Sequence, residues 1–255
     1  MGGAGRVRRS TLGGSMPHLV VLSGAGISAE SGIETFRAAE GLWANHPVEA
    51  VATPEGWRRD PERVLEFYAE RRRQIRSARP NAAHRALAEL EGAGFRVTIL
   101  TQNIDDLHER AGSKDVMHLH GNVMNARSSV DPRLIYPLAE GEEISLGDLC
   151  DKGSQLRPHV VWFGEPVLLL DAARELTADA DLLLVVGTSL NVMPVAGLID
   201  EVAFHVPRLL VDPRAHEFAP QGVKALSRRA AEGVPLLVDH WRRTRRFTLP
   251  DTFAG

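Results

Sequence analysis

The sequence is short of cysteine, with only Cys150 among its 255 residues. A single thiol cannot form an intramolecular disulfide, which suits the reducing cytoplasm, where we expect the protein to reside. Long hydrophobic runs are also missing, since no apolar stretch approaches the roughly 20 residues that a membrane-spanning helix needs. We therefore expect neither a transmembrane protein nor a membrane partner.

The sequence also has no large excess of either charge, because 30 Lys and Arg nearly balance 33 Asp and Glu, for a formal net charge of -3. This balance gives no electrostatic reason to expect a nucleic-acid partner. The 44% hydrophobic and 25% charged fractions are those of an ordinary globular protein. The length suits one large α/β domain, or a large domain that carries a smaller one.

Short runs rich in Val, Leu and Ile end in glycine or polar residues and predict buried strands. They lie at 18–24, 96–102, 116–121, 181–189 and 208–212. Nearly continuous apolar content is typical of parallel strands that are covered on both faces. Helical patterns lie between them, notably at 61–79 and 81–91, with Asp60-Pro61 and Pro80-Asn81 as starts. The sequence predicts a Rossmann-like, doubly wound parallel sheet with a smaller inserted module.

We expect a flexible N-terminal tail at 1–17, a catalytic domain at 18–245 and a C-terminal tail at 246–255. The large part of the domain would comprise 18–37, 81–121 and 159–245, with smaller inserts at 38–80 and 122–158. The second insert is rich in Gly, Ser, Asp and Pro around scattered apolar residues. We expect it to pack onto the large part through Leu134, Ile135, Tyr136, Leu138 and Leu149.

A glycine-rich turn follows the first predicted strand directly. Gly24, Gly26 and Ala29 match the G-x-G-x-x-G/A spacing, in which glycines let backbone N–H groups approach a pyrophosphate at a helix N-terminus. Such turns are also common structural punctuation, so the spacing alone does not establish a nucleotide site. A dehydrogenase would place an acidic residue at the end of its second strand, about 20 residues on, and this sequence does not.

Polar side chains instead follow the second and third strands. They are Gln102, Asn103, Asp105, His118 and His120. The carboxyl ends of strands in an open α/β sheet face the ligand crevice, so these side chains could converge there. Buried amides can recognise the amide of nicotinamide, and a histidine is a natural general base near neutral pH. His118 and His120 lie two residues apart on one strand face, so spacing does not decide between them, and a purely structural histidine is the common alternative.

Five motifs, in this order, resemble the signatures of the sirtuin family. They are GAGISAESGIETFR (24–37), TQNIDDLHERAG (101–112), HLHGN (118–122), VVWFGE (160–165) and VGTSLNVMPVA (186–196). The resemblance covers roughly residues 18–240. The sequence is most similar to the bacterial class III sirtuins, to which GLW (41–43), VATPEGW (51–57), FYAERRR (67–73) and PNAAH (80–84) are also similar.

The resemblance implies NAD⁺ as co-substrate, acyl-lysine proteins or peptides as partners, and a role for each motif residue. Residues at the cofactor would be Gly24, Ala25, Gly26, Ser28, Phe36, Arg37, Gln102, Asn103, Ile104, Asp105, His120, Gly187, Thr188, Ser189, Asp212 and Ala230. His120 would be the base, because it precedes the glycine of the HG pair, and Asn103 would also be catalytic. The substrate peptide would add as a strand beside Val161, Phe163, Gly164, Asn191 and Val192.

The implied reaction is deacylation. The acyl-lysine oxygen would attack the ribose C1′ as nicotinamide leaves, and His120 would then deprotonate a ribose hydroxyl, so that the acyl group passes to ADP-ribose and lysine is freed. Two alternatives stay open. One is an NAD⁺ glycohydrolase or ADP-ribosyltransferase that uses the same pocket without an acyl-lysine acceptor, and the other is a non-catalytic NAD⁺ sensor.

Tyr68 and Arg71 bear on the choice of acyl group. They stand at i and i+3 on a predicted helix and would project from one face. On pattern alone, the arginine run 71–73 is typical of a solvated helix face. In class III sirtuins a Tyr-x-x-Arg pair reads an acidic acyl group, and the guanidinium fork suits a carboxylate. We therefore expect a succinyl- or malonyl-lysine pocket, with Gly56 as a small residue that widens it.

The sequence departs from the family pattern at two places. Most sirtuins hold zinc with two C-x-x-C pairs, whereas 121–158 contains only Cys150, one thiol where a closed tetrahedral site needs four ligands. We expect no bound zinc. Leu210 stands where the family usually has an asparagine for the adenosine ribose, so that contact would fall to backbone groups or to Asp212.

Overall fold

The computed structural model describes residues 16–34, 36–37, 42–44 and 46–250. In chain order, the strands of this described part are β1 (His18–Ser23), β2 (Phe36–Arg37), β3 (Leu42–Trp43), β4 (His46–Pro47), β5 (Arg96–Thr101), β6 (Val116–His118), β7 (Gly121–Ser128), β8 (Ile135–Pro137), β9 (Leu156–Val160), β10 (Leu182–Val186), β11 (Arg208–Val211) and β12 (Lys224–Leu226).

Helices alternate with strands in the large part of the domain, whereas four helices follow one another between β4 and β5. The helices of the described part are α1 (Ala25–Ala29), α2 (Val48–Val51), α3 (Pro54–Arg59), α4 (Pro61–Ser77), α5 (Ala82–Gly92), α6 (Leu107–Ala111), α7 (Leu170–Ala178), α8 (Ala215–Phe218) and α9 (Ala230–Thr244), with a 3₁₀ helix at Val195–Asp200. In the described ranges no helix is long and apolar enough to cross a membrane.

Six parallel strands form the main sheet in the order β12-β11-β10-β1-β5-β6. The chain moves outward from β1 to β6 and then returns to β10, on the other side of β1, to move outward to β12. This is the strand order of the Rossmann fold, and the predicted α/β architecture is confirmed. In such sheets the ligand crevice lies outside the carboxyl ends of the strands at the reversal point, here between β1 and β10.

Both faces of the main sheet are covered. In β1, Leu19 and Val21 pack in one apolar cluster with residues of α5 and α9, while Val20 and Leu22 pack in another with residues of α7 and the 3₁₀ helix. All six residues of β1 are buried. This double coverage is the physical reason why the strands read as nearly continuous apolar runs.

Two helices begin where the sequence predicts. Asp60 caps α4 by accepting a hydrogen bond of 3.0 Å from the amide of Arg63, and a proline opens the helix. Asn81 caps α5 by accepting a bond of 3.0 Å from the amide of Ala83. A side-chain oxygen at these positions satisfies an amide that has no partner inside the helix.

The two inserts pack against each other. The second contains an antiparallel sheet in the order β8-β7-β9, called the small sheet below. Leu65 of α4 joins the apolar cluster of this insert together with Ala126, Ile144, Tyr136 and Leu138.

The predicted inward packing is wrong for two residues of the second insert, because Ile135 is 44% exposed and Leu149 59% exposed. Ile135 lies on the edge strand β8, whose alternate side chains point to opposite faces, so its neighbour Tyr136 takes the inward position.

The chain stays packed on the core beyond residue 245, where we expected a tail. The ring of Phe247 lies 5.3 Å from that of Phe95 and 5.4 Å from that of Trp241. The indole of Trp241 also donates a hydrogen bond of 2.9 Å to the carbonyl of Thr248.

Candidate functional site

The turns that follow β1 and β10 touch at the reversal point of the sheet. The amide of Gly24 donates to the carbonyl of Val186 at 3.0 Å, and the amide of Gly26 to that of Gly187 at 2.8 Å. A Cβ on Gly24 would lie 2.7 Å from the Cβ of Thr188, and one on Gly26 would lie 2.6 Å from the Cα of Gly187. The close approach of the two backbones therefore requires glycine at both positions, independently of any phosphate.

A hydrogen-bonded chain of predicted site residues runs beside these turns. The side-chain amide of Asn103 donates to the Ser28 hydroxyl at 3.1 Å, and that hydroxyl donates to the Asp105 carboxylate at 2.9 Å. The side chain of Gln102 reaches Thr188 at 3.2 Å, which links β5 to β10 across β1. Burial raises the pKa of Asp105, and the bond from Ser28 opposes that shift. The fold thus brings polar side chains from three motifs together beside these turns.

His120 lies in the turn between β6 and β7, outside the main sheet. Its Nδ1 is 3.0 Å from the carbonyl oxygen of Gln102. A carbonyl only accepts, so Nδ1 carries the hydrogen and Nε2 is the nitrogen that can take up a proton. Burial lowers the pKa of His120, although the bond to Gln102 works in the other direction. The ring is therefore neutral near pH 7, as a general base must be.

His118 also contacts a backbone carbonyl through its Nδ1, but it has a second partner. Its Nδ1 is 3.2 Å from the carbonyl oxygen of Asn103, and its Nε2 is 2.6 Å from a carboxylate oxygen of Glu109. Burial alone would lower the pKa of His118, but the bond and charge of Glu109 outweigh it and the net shift is upward. The geometry thus separates two histidines that spacing left equivalent, and it favours His120 as the base.

Gly121 fixes the turn that carries His120. Its φ of +82° is in the left-handed region, and a Cβ there would lie 2.1 Å from the carbonyl oxygen of His159. The amide of Val161 donates to the carbonyl of His120 at 2.9 Å. The backbone on both sides of the base is therefore held by β9 and the residue that follows it.

The two predicted peptide-pairing segments follow residues of the site along the chain, since Val161 bonds the carbonyl of His120 and Asn191 comes three residues after Thr188. The amide of Phe163 donates to the carbonyl of Ala52 at 3.0 Å, while 43% of the residue is exposed. Asn191 is exposed and its amide donates to the Ser189 hydroxyl at 3.1 Å. Gly164 has a φ of +88° with open space around its missing Cβ. These segments retain exposed side chains close to the site.

Glu165 anchors the first of these segments and has no assigned role in the sequence prediction. Its carboxylate accepts from the amide of Trp162 at 2.8 Å, from Arg157 at 2.6 Å and from Arg127 at 2.9 Å. The guanidinium carbon of Arg157 also lies 3.2 Å from the centre of the Trp162 ring. A glutamate side chain can accept from the backbone N–H three residues before it, as in a capping box, and this spacing is the local signal that could have identified the anchor.

Tyr68 and Arg71 are both buried, so the charge run at 71–73 is not simply a solvated face. The Tyr68 hydroxyl accepts a bond of 3.0 Å from the indole of Trp162. The guanidinium of Arg71 donates to Glu34 at 2.9 Å and to Glu70 at 3.0 Å. Its Nε, also buried, has no hydrogen-bond partner among the described residues.

Gly56 has a packing role of its own. A Cβ there would lie 2.6 Å from the carbonyl oxygens of Glu49 and Ala50 at the end of α2. This contact explains the small residue without any reference to the size of an acyl pocket.

The remaining predicted site residues have other surroundings. Ile104 is buried in the apolar cluster that contains Tyr68. Asp212 accepts a bond of 2.9 Å from the amide of Arg214, and Ala230 is buried at the start of α9. Ala25 is half-buried in α1 and Val192 is half-buried after β10.

Two further positions cannot be compared with the prediction in the same way. The side chains of Phe36 and Arg37 lie outside the described residues, where only the pairing of β2 with β3 is defined. Leu210 is fully buried in the core, so its side chain does not face the crevice.

The residues of the small sheet do not fit a zinc site. In the described ranges, no three His, Cys, Asp or Glu residues are grouped so that they could hold a metal. The Cys150 thiol donates to the Ser128 hydroxyl at 3.2 Å. Nearby, Lys152 donates to Asp131 at 2.8 Å, and Arg133 donates to the same carboxylate at 3.0 Å. The only thiol of the sequence thus has a hydroxyl as its partner, and the Asp131 carboxylate is paired with two cations.

Comparisons with known proteins identify the family and the fold of the chain. A model of the Sir2 family matches residues 24–194. The chain is 49% identical over 220 residues to an NAD-dependent protein deacylase of Helicobacter pylori, with coverage of 86% of this chain and 95% of the relative. It is 53% identical over 197 residues to one of Aggregatibacter actinomycetemcomitans, with coverage of 77% and 93%.

Similar solved structures include the NAD complex of a Sir2 homologue, with a TM-score of 0.78, 41% identity and coverage of 89% of this chain and 90% of that one. They also include a Sir2 complex with a p53 peptide and NAD⁺, with a TM-score of 0.69, 32% identity and coverage of 87% and 92%.

Proposed function

The chain belongs to the Sir2 family, and on that premise we propose that it is an NAD⁺-dependent deacylase of acyl-lysine side chains in proteins or peptides. The observation that carries the proposal is the polar network at the reversal point of the sheet. Ser28, Asn103 and Asp105 are hydrogen-bonded there, and His120 bonds the carbonyl of Gln102, the residue before Asn103. The relatives named above are NAD-dependent protein deacylases.

The donor set fits NAD⁺, which has amide, hydroxyl and phosphate groups. Amide and hydroxyl side chains come from the carboxyl ends of the central strands, the position where doubly wound sheets bind nucleotides. When bound, NAD⁺ supplies an electrophilic ribose carbon and the ADP-ribose that receives the acyl group. Asn103, Asp105 and Ser28 restrain one another, so they present fixed hydrogen-bonding groups rather than mobile ones.

His120 has the proton chemistry that acyl transfer needs. Its Nδ1 hydrogen is used by the carbonyl of Gln102, which orients the ring and leaves Nε2 to accept a proton from a hydroxyl. Because burial lowers its pKa, the base is neutral at neutral pH and becomes protonated only in more acidic solution. Activity should therefore fall at acid pH, below the ordinary histidine value of about 6.5.

For the acyl group, we propose that an acidic chain of the succinyl or malonyl type binds at Arg71. Within the part of the chain that the structure describes, the buried Nε of Arg71 has no hydrogen-bond partner, and a carboxylate that approaches the guanidinium edge could accept from it. Glu34, a half-exposed carboxylate, already accepts from the same guanidinium and would compete with the substrate.

The test is to measure kcat/KM on acetyl-, succinyl- and malonyl-lysine forms of one peptide. Arg71→Ala should lower the rate on the two acidic acyl groups by about 10- to 100-fold, since a charged hydrogen bond contributes about 1.5–3 kcal/mol, and should leave the acetyl rate nearly unchanged. Arg73→Ala is the matched control, because that side chain is on the same helix and 59% exposed. Equal loss on all three peptides would count against the acidic pocket.

The same assay separates deacylation from the alternatives. His120→Ala should abolish acyl transfer on all three peptides. A glycohydrolase would release nicotinamide equally fast without peptide, and a sensor would bind NAD⁺ without turnover. Either result would contradict the proposed function whatever the effect at Arg71.

A further inference from the structure

His118 and His120 make parallel contacts with one stretch of backbone. The Nδ1 of His120 bonds the carbonyl of Gln102 at 3.0 Å, and the Nδ1 of His118 bonds the carbonyl of the next residue, Asn103, at 3.2 Å. Two successive peptide groups of the loop at 102–106 are thus held from one side. This loop carries Asn103 and the buried Asp105.

The second contact of His118 sets its charge. Its Nε2 is 2.6 Å from Glu109, so both ring nitrogens face oxygens. A carbonyl cannot donate, and a neutral imidazole has only one N–H, so the ring satisfies both oxygens as an imidazolium beside an ionised carboxylate. Partial burial alone would raise the pKa of Glu109, but the bond and charge of His118 outweigh it and the net shift is downward.

Several further groups lie around His118, and they differ in their effect on the imidazolium. Asp105, on the loop itself, adds a negative charge that favours the imidazolium. His108 of α6 and His159 of β9 face it as neutral rings, because burial lowers the pKa of both, that of His159 to about 4. The side-chain amide nitrogen of Asn122, on β7, is a donor 3.4 Å from Nε2 and so favours the neutral ring, but this contact is longer than the 2.6 Å contact with Glu109. Glu109 is therefore the dominant partner.

We propose that His118 is a positioning residue for the deacylation reaction. As an imidazolium it ties α6, through Glu109, to the main chain of Asn103 and so holds the loop at 102–106 in its working geometry. When it loses its proton, one of the two bonds must break and the loop is released. This proposal rests on the proposed function, and it adds a second titrating histidine to the site.

The sign of the pH effect follows from the direction of each shift. The raised pKa of His118 means that its contribution is complete at neutral and lower pH and is lost as the pH rises through that value. The lowered pKa of His120 means that the base is active above its own value. The pH profile of kcat/KM should therefore be bell-shaped, with an acid limb from His120 and an alkaline limb from His118.

The experiment is to record this profile for the wild type, Glu109→Gln and His118→Gln. Glu109→Gln keeps an acceptor but removes the charge, so the alkaline limb should move to lower pH by about one unit or more, while the acid limb stays in place. His118→Gln should lose the alkaline limb and lower kcat/KM at neutral pH by about tenfold, as for the loss of about 1.4 kcal/mol. Glu89→Gln, an exposed carboxylate on α5, should leave the profile unchanged.

An NMR titration of the histidine ring signals in the same proteins gives a readout without catalysis. His118 should titrate above the ordinary histidine range in the wild type and lower in Glu109→Gln. An alkaline limb that Glu109→Gln does not move, or a His118 ring that titrates at its ordinary value, would overturn the proposal. A wild type that shows no deacylation on any peptide would instead refute the proposed function, and the titration would still judge the His118–Glu109 pair.

Discussion

The crevice beside β1 and the small sheet are ordered by different means. In the crevice, backbones approach so closely that Gly24 and Gly26 have no room for a side chain, and buried side chains bond one another. In the loops that connect the strands of the small sheet, Asp131 is bonded by Lys152 and Arg133, whose side chains are 54% and 84% exposed. The crevice therefore fixes the identity of its residues, whereas the small sheet needs only some cross-link between its loops.

This contrast explains why the two regions differ so much in how they match the family. The chain matches the family motifs where close contacts leave room for a single residue type. A polar cross-link can be exchanged for another one without moving the backbone. Here the Cys150–Ser128 bond and the Lys152–Asp131 ion pair link the loops of the small sheet, whereas most sirtuins hold zinc in this module with four cysteines. Substitutions in the crevice should accordingly cost more than substitutions in the small sheet.

The largest effect is expected at Gly121. Gly121→Ala combines a left-handed φ with a Cβ placed 2.1 Å from a carbonyl oxygen, so the turn that holds His120 must shift. We expect a loss of stability of about 3 kcal/mol or more and a loss of most activity, measured by chemical denaturation and by deacylation rate.

Gly141→Ala is the matched control for Gly121→Ala. Its φ is +81° and nothing lies within 4 Å of the added Cβ, so it should cost only about 1 kcal/mol of backbone strain. Equal losses for the two variants would show that backbone strain, and not the close contact in the crevice, determines the cost.

A smaller effect is expected from Asp131→Asn. Hydrogen bonds from Arg133 and Lys152 lower the pKa of Asp131, so its stabilising effect is present at neutral pH and fades as the pH falls below the ordinary carboxyl range. The variant should melt at a lower temperature than the wild type at pH 7, by a difference that shrinks in acid, while kcat/KM stays unchanged. Glu140→Gln, at an exposed position of the same insert, is the control.

Most of the main sheet could be predicted because its strands are buried on both faces and therefore apolar throughout, as in β1 and β10. The sixth strand, β12, could not, since three residues beginning with an exposed lysine carry too little pattern. The predicted strand at 116–121 is in fact split, because β6 ends at His118, a turn follows, and the positive φ of Gly121 directs β7 into a different sheet.

At the site, sequence placed the polar residues near one another but not their partners. Alternation put His118 and His120 on one side, and the difference between them depends on Glu109, which reaches His118 only because α6 packs beside β6. The burial of Arg71 was equally hidden, since a run of three arginines does not reveal which of them turns inward. Ion pairs between different helices and strands can be identified only when the fold is known.

The smallest effect is expected from removing metal. A closed zinc site needs four ligands and the small sheet offers one thiol, so treatment with a strong chelator should leave both the melting temperature and kcat/KM unchanged. Cys150→Ser should likewise have little effect, because a hydroxyl can still donate to Ser128, whereas Cys150→Val removes that donor from a buried position and should lower the melting temperature more. Stoichiometric zinc in the purified protein, or a chelator-dependent loss of stability, would show that the small sheet is held by a metal after all and would remove the contrast with the crevice.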